Sequence, residues 1–118
     1  MNASLKAALV ILCAIFWVAC SDSSRCSEPC STLYGAEEDQ CYLQRPGQSS
    51  TDLFEYCKAE CMEALAMPGE VGSYYPYEKE HSAASIDLKN SAQAELWMQC
   101  ISETDCERLN NGYCAPVW

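Results

Sequence analysis

The residues best suited to chemistry in this chain are its cysteines. The sequence has 10 cysteines among 118 residues, a density typical of small disulfide-bonded domains outside the cytosol. Two of them, Cys13 and Cys20, lie in an apolar stretch near the amino terminus. The other eight are Cys26, Cys30, Cys41, Cys57, Cys61, Cys100, Cys106 and Cys114. Because eight is an even number, these cysteines can form four disulfide bonds with no thiol left over.

The first twenty residues are typical of an export signal. Lys6 and the free amine give a positive start, and an uncharged apolar run of 14 residues follows. A bilayer span needs about 20 apolar residues, so residues 1–20 are predicted to be a signal peptide or lipoprotein signal rather than a transmembrane helix. Residues 21–25 are predicted to be a polar tether, and residues 26–118 a disulfide-rich helical domain.

The end of the apolar run resembles the lipobox of bacterial lipoproteins, in which a cysteine becomes the acylated amino terminus. Val18, Ala19 and Cys20 fit this motif, whereas Trp17 stands where that family usually has leucine. The resemblance implies a lipid anchor at Cys20. Cleavage before an acylated Cys20 and simple cleavage after Cys20 both leave an even number of thiols, so both remain open.

The charge of the chain excludes two kinds of partner. Seventeen acidic residues against seven Lys and Arg give a formal net charge of −10. Nucleic acids and anionic membrane surfaces are bound mainly through lysine and arginine, so neither is expected to bind this surface. A membrane is still expected as a partner, because the lipid anchor at Cys20 would insert into it without any need for basic residues. The other expected partner is an unknown protein.

The sequence offers little for catalysis or metal binding. Some cysteine spacings would suit zinc, but disulfides are favoured behind an export signal. No Cys-x-x-Cys redox motif occurs, and the one histidine, His81, has no catalytic motif beside it. Glu37-Glu38-Asp39 is interpreted as a solvated helix face, because the ligand spacing of an EF-hand loop is missing. We expect no enzyme activity, no metal and no cofactor.

The elements that must position the cysteines are helices. Two helices are predicted in the part of the chain before residue 68. An apolar pattern over residues 27–43 predicts one helix, with a weak point at Gly35. A turn is predicted over residues 45–50. The second helix is predicted to start at Asp52, with Glu55 completing a capping box, and to end before Pro68.

The second half of the chain predicts a loop and then short helices. Residues 68–82 lack periodicity, whereas residues 83–88 could start a helix. A clear helix is capped by Asn90 or Ser91, and Thr104 with Glu107 forms a capping box for a short one that Gly112 closes. No alternating strand pattern occurs. The predicted fold is all-α, with three to four short helices after an N-terminal signal or anchor helix.

Two Cys-x-x-x-Cys pairs predict a helical hairpin that disulfides staple together. Residues four apart share a helix face, and antiparallel helices place the first cysteine of one opposite the second cysteine of the other. The predicted pairs of the hairpin are Cys26–Cys61 and Cys30–Cys57. Eight cysteines allow about 105 connectivities, and the remaining four are assigned by choice rather than by geometry. The assigned pairs are Cys41–Cys100 and Cys106–Cys114.

The segment Tyr74-Tyr75-Pro76-Tyr77 is the most suggestive surface feature. Tyrosine is enriched at interfaces, because its ring is apolar and its hydroxyl is polar. Two interpretations stay open: two of the rings pack on the small core, or Tyr74, Tyr75 and Tyr77 contact a partner. Trp97 is predicted to lie in the core, because it falls on the apolar face of its helix, and Trp118 has no assigned role.

From Cys26 onward, the layout resembles a loose group of small, uncharacterised, cysteine-rich bacterial lipoproteins. The features shared after the lipobox are two Cys-x-x-x-Cys helices, then an aromatic residue before a cysteine, and a cysteine-containing turn ending in Gly-x-Cys. Here they are Cys26/Cys30, Cys57/Cys61, Trp97-Met98-Gln99-Cys100, Thr104-Asp105-Cys106 and Gly112-Tyr113-Cys114. The resemblance implies export and disulfides but no activity.

The resulting expectation is an exported, lipid-anchored accessory or interaction protein of the cell envelope. A freely secreted disulfide-rich ligand or toxin, processed after Cys20, is the first alternative. The second is a twin Cys-x-x-x-Cys helical hairpin chaperone, which the spacing of the two pairs resembles, although Cys41 interrupts that pattern.

Overall fold

The computed structural model describes residues 23–79 and 87–118. Within these residues the fold is all-α, as predicted, with four helices and no β-strand. The helices are α1 (23–34), α2 (Ser50–Leu65), α3 (Ser91–Glu103) and α4 (Cys106–Asn110). In the described part of the chain, none of these helices has the length and apolarity of a membrane span.

Some predictions fall on residues outside the described ranges. They concern the signal segment 1–20, the lipidation site Cys20, the single histidine His81 and most of the helix suggested over residues 83–88. Residues 87 and 88, at the end of that suggested helix, are not helical.

Helix α1 lies closer to the amino terminus than predicted. Residues 23–25, assigned to the tether, are already helical, and the helix ends at residue 34. Pro29 favours a helix start, since proline lacks an N–H, yet it lies inside α1. Cys26 and Cys30, on either side of it, are each bonded to α2. The acidic residues 37–39 therefore form an exposed turn rather than a helix face.

After α1 the chain folds back along the end of the helix. The N–H of Cys41 donates to the carbonyl of Thr32 at 2.8 Å, and the N–H of Leu43 donates to that of Leu33 at 2.9 Å. Gly35 leaves room for this return, because a Cβ there would clash with the side chain of Gln40, whose oxygen accepts the N–H of Glu37 at 3.0 Å. The chain thus leaves the helix at Gly35, well before residue 43.

The predicted hairpin is present. Cys26–Cys61 and Cys30–Cys57 join α1 to α2, with a Cα–Cα distance of 5.8 Å in each bond. All four of these cysteines are fully buried. The turn predicted before α2 is centred on Pro46 and Gly47, and Gly47 adopts a φ of +77°, a conformation that favours glycine.

The helix caps differ in part from those predicted. Ser49, rather than Asp52, caps α2 by accepting the N–H of Asp52, which is one of the unpaired donors of the first turn. Asp105, rather than Thr104, caps α4, because its carboxylate accepts the N–H of Arg108 at 2.9 Å. Asn90 caps α3 as predicted.

Two further disulfides fasten the carboxyl-terminal part, and both differ from the predicted pairs. The structure has Cys41–Cys106 and Cys100–Cys114, so the predicted Cys41–Cys100 and Cys106–Cys114 are wrong. The reason is the path of the chain after α4. Positive φ values at Gly112 (+101°) and Cys114 (+58°) return the chain to the buried face of α3, where Cys100 lies.

The core forms where α3 packs on the hairpin. Trp97 is fully buried, as predicted, and its Nε1–H donates to the carbonyl of Pro116 at 2.9 Å. The Trp118 ring contacts that of Trp97 edge-on, with the centroids 5.9 Å apart. The largest fully buried side chains also include Tyr34, Leu33, Leu53, Ile101 and Leu109. The carboxyl-terminal segment is therefore part of the core.

Candidate interaction surface

Two of the three candidate tyrosines serve the fold. Tyr74 packs against the core, and its hydroxyl donates to the carbonyl of Ala115. Tyr77 also packs against the core, and its hydroxyl donates to the Glu103 carboxylate at 3.1 Å. Tyr75 is 57 % exposed. The interpretation in which two rings pack on the core is therefore confirmed, and Tyr75 alone presents a mostly free ring.

An aromatic groove lies at the opposite end of the hairpin from the start of α1. It has a volume of about 670 Å³. The residues that line this aromatic groove are Arg45, Pro46, Gln48, Asp52, Tyr56 and Trp118. The rings of Tyr56 and Trp118 meet edge-on with their centroids 5.6 Å apart, and Tyr56 is 51 % exposed. The groove therefore combines exposed aromatic surface with one positive and one negative side chain.

Contacts from the core hold the walls of the aromatic groove. The hydroxyl of Tyr34 donates to the backbone carbonyl of Trp118 at 2.6 Å. The guanidinium of Arg45 donates to the backbone carbonyl of Gln44 at 2.8 Å and approaches the side-chain oxygen of Asn110 at 3.4 Å. Since Tyr34 belongs to α1 and Asn110 belongs to α4, the groove is fixed by the fold rather than by an isolated loop.

Burial changes the ionisation of the tyrosine that supports the groove. Desolvation raises the pKa of Tyr34 to about 12, and the nearby charge of Arg45 offsets only part of that effect. At the groove itself, the negative charge of Glu60 raises the pKa of Tyr56. Both phenols are therefore neutral at neutral pH, and the Tyr34 hydroxyl remains a hydrogen-bond donor to the groove wall.

Sequence patterns did not reveal the aromatic groove. By its spacing Tyr56 belongs to the apolar pattern of α2, yet in the structure it lies beside the buried stripe that contains Leu53 and Cys57. Its position one residue before Cys57 was the available signal, because neighbouring helical residues point in different directions. Trp118 reaches the groove through a contact across 62 residues, which no local pattern reports.

A second groove separates α1 from α3. Its volume is about 430 Å³, and its apolar lining includes Pro29, Met98 and Ile101. An ion pair between Arg25 and Glu95, 3.1 Å apart, crosses its rim. Both side chains are substantially exposed, so the pair contributes little to stability.

A metal centre would need several His, Cys, Asp or Glu side chains close together. Across residues 23–79 and 87–118, no cluster of three or more His, Cys, Asp and Glu side chains is placed to hold a metal ion.

Comparison of the chain with protein-family models, curated proteins and solved structures found no match. The fold and its cross-links define a class, a small helical domain held by four disulfides, which is typical of proteins that fold outside the cytosol.

The buried tyrosines predict a loss of stability at alkaline pH. In the unfolded chain Tyr34 ionises near pH 10, whereas in the fold its pKa is about 12, so the unfolded state loses its proton first. The contribution of the neutral Tyr34 hydroxyl to the free energy of unfolding is complete below pH 10. It is lost between pH 10 and 12, by about 1.4 kcal/mol per pH unit. Burial raises the pKa of Tyr74 as well, and its contribution falls in the same direction.

Urea unfolding between pH 8 and pH 11, at times short enough to keep the disulfides intact, measures this effect. Tyr34→Phe is expected to lower the free energy of unfolding at neutral pH, because the Trp118 carbonyl loses its donor. The variant is also expected to lose less stability than the wild type as the pH rises above 10. Tyr75→Phe, at an exposed position, is the control and is expected to leave the profile unchanged. An equal alkaline decline in wild type and Tyr34→Phe would contradict the prediction.

Proposed function

We propose that this protein is exported, attached to a membrane by lipid at Cys20, and acts as an accessory protein that binds another protein through its aromatic groove. The observation that carries the proposal is the complete pairing of the eight cysteines in residues 26–118, here called the body of the protein. Stable disulfides belong to oxidising compartments, which supports export. The resemblance to small cysteine-rich bacterial lipoproteins agrees with this proposal.

The pairing pattern agrees with lipidation at Cys20 and equally with cleavage after it, and the residues before Cys20 favour lipidation. Each body cysteine has its partner within the body, so none of them requires Cys20. Cys20 follows Val18 and Ala19, in the order that lipoprotein processing uses. A multiply acylated amino terminus meets the need for more than one chain in stable anchoring.

An anchor at Cys20 would place the aromatic groove away from the membrane. Helix α1 is already formed at residue 23, only three residues after Cys20, so the start of α1 would lie nearest the bilayer. The far end of α1 carries Tyr34, which contacts Trp118 of the groove. At 1.5 Å per residue, α1 separates the two ends by about 17 Å. The groove would then face outward, toward a partner.

The composition of the groove supports a protein partner. Tyrosine, tryptophan and arginine are the residue types that dominate binding energy at protein interfaces, and the groove has one of each. The Asp52 carboxylate and the Arg45 guanidinium add charges of opposite sign, which favour a partner with complementary charges.

Metabolic labelling with a fatty acid in the native cell tests the anchor. We expect label on the wild type and on Cys13→Ser, and none on Cys20→Ser, because the acyl chains require the Cys20 amino group and thiol. Cys13→Ser is the matched control, since Cys13 lies in the same apolar segment. Label that persists on Cys20→Ser, or a mature protein that begins with unmodified Ser21, would contradict the anchor and favour free secretion.

Site-specific photocrosslinking in intact cells tests the interaction surface. A photoreactive phenylalanine analogue at position 56 is expected to trap a protein partner, whereas the same analogue at position 42 is not. Tyr42 is the matched control, because it is also a tyrosine with 51 % exposure but does not line the aromatic groove. Equal adducts at the two positions, or no adduct at position 56, would contradict the assignment.

A further inference from the structure

We infer that the Cys41–Cys106 disulfide is a thiol-exchange site, at which an external thiol forms a mixed disulfide with Cys106. These two residues differ from the other six disulfide-bonded cysteines in exposure. Cys106 is exposed and Cys41 is half-buried. The other six disulfide-bonded cysteines are 0 % exposed. They are Cys26, Cys30, Cys57, Cys61, Cys100 and Cys114.

Accessibility decides which bond reacts, because the attacking thiolate must reach a sulfur atom directly. Cys106 is the first residue of α4 and is exposed, while Cys41 is half-buried. The external thiol therefore attacks Cys106, and Cys41 is the leaving group. The three buried bonds require local opening before any thiol can reach them.

The exchange is balanced without a separate oxidant. The thiolate of the incoming thiol forms a new sulfur–sulfur bond with Cys106, and the Cys41–Cys106 bond breaks. The electron pair of the broken bond leaves on the Cys41 sulfur, which takes up the proton that the incoming thiol gave to water. The Cys41 thiol is then positioned to attack the mixed disulfide, release the external thiol and restore the original bond.

Contacts other than the Cys41–Cys106 bond also hold the two segments that this bond joins. On the Cys41 side, the N–H groups of Cys41 and Leu43 donate to carbonyls of α1, and Leu43 is buried. On the Cys106 side, Asp105 caps α4 and Leu109 is fully buried. Opening the bond therefore leaves both segments attached to the core, and the mixed disulfide forms on a folded protein.

Charge around the bond selects the class of thiol. Six exposed carboxylates lie within four residues of the two cysteines along the chain: Glu37, Glu38, Asp39, Glu103, Asp105 and Glu107. Two cations lie nearby, Arg108, which pairs with Asp105 at 3.7 Å, and Arg45, which approaches α4 at Asn110. The excess of negative charge favours thiols that carry a positive charge, such as a cysteine in a basic segment, over anionic thiols.

The experiment uses the mature full-length protein and three small thiols of different charge: cysteamine, 2-mercaptoethanol and mercaptoethanesulfonate. After timed exposure, free thiols are alkylated and the adducts are located by peptide mass spectrometry. We expect the external thiol on Cys106 and the alkyl group on Cys41, appearing at least about tenfold faster than any change at the other three bonds. First reaction at another bond, or simultaneous opening of all four, would overturn the proposal.

Two variants control for alternative explanations. The double variant Cys41→Ala/Cys106→Ala is expected to lose the fast adduct, and a fast adduct that persists would overturn the site. Glu37→Gln/Glu38→Gln/Asp39→Asn removes three charges, and we expect the cysteamine-to-sulfonate rate ratio to fall by at least about twofold. A ratio unchanged by this variant would overturn the charge selection. Neither result depends on lipid at Cys20, so failure of this site leaves the proposed anchor untouched.

Discussion

The cross-linking of α1 to α2 by two buried disulfides is the constraint on which the rest of the structure depends. A domain of this size buries only about 60–70 % of its unfolded surface, so its core alone is marginal. Each native disulfide adds roughly 2–4 kcal/mol. Cys26–Cys61 and Cys30–Cys57 fix the hairpin in register, and α3 then has a rigid face on which to bury Trp97.

The hairpin also sets the geometry of the candidate site. The half of the hairpin nearest the connection between α1 and α2 brings Tyr34 of α1 and Tyr56 of α2 to the carboxyl-terminal segment, where Trp118 contacts both the core and the groove. The other end begins three residues after Cys20. One rigid element would thus separate the proposed membrane attachment from the proposed binding surface.

Local spacing was sufficient to predict that four helices form, though not the bounds of α1, and to predict the two disulfides of the hairpin, because residues four apart on a helix share a face. The pairing of Cys41 could not be predicted in this way. It depends on the chain reversal at Gly35 and on the turn at Gly112, which are set by backbone contacts rather than by periodicity. The aromatic groove was missed for a related reason, since Tyr56 and Trp118 meet through the tertiary fold alone.

The most direct test of the central claim is alkylation of the mature protein from its native source, denatured with and without a reductant. Four closed disulfides predict that the body cysteines gain no alkyl groups without reductant and eight with it, as measured by intact mass. Body cysteines that are alkylated without reductant, or that are protected by a metal ion instead of by sulfur, would contradict the account.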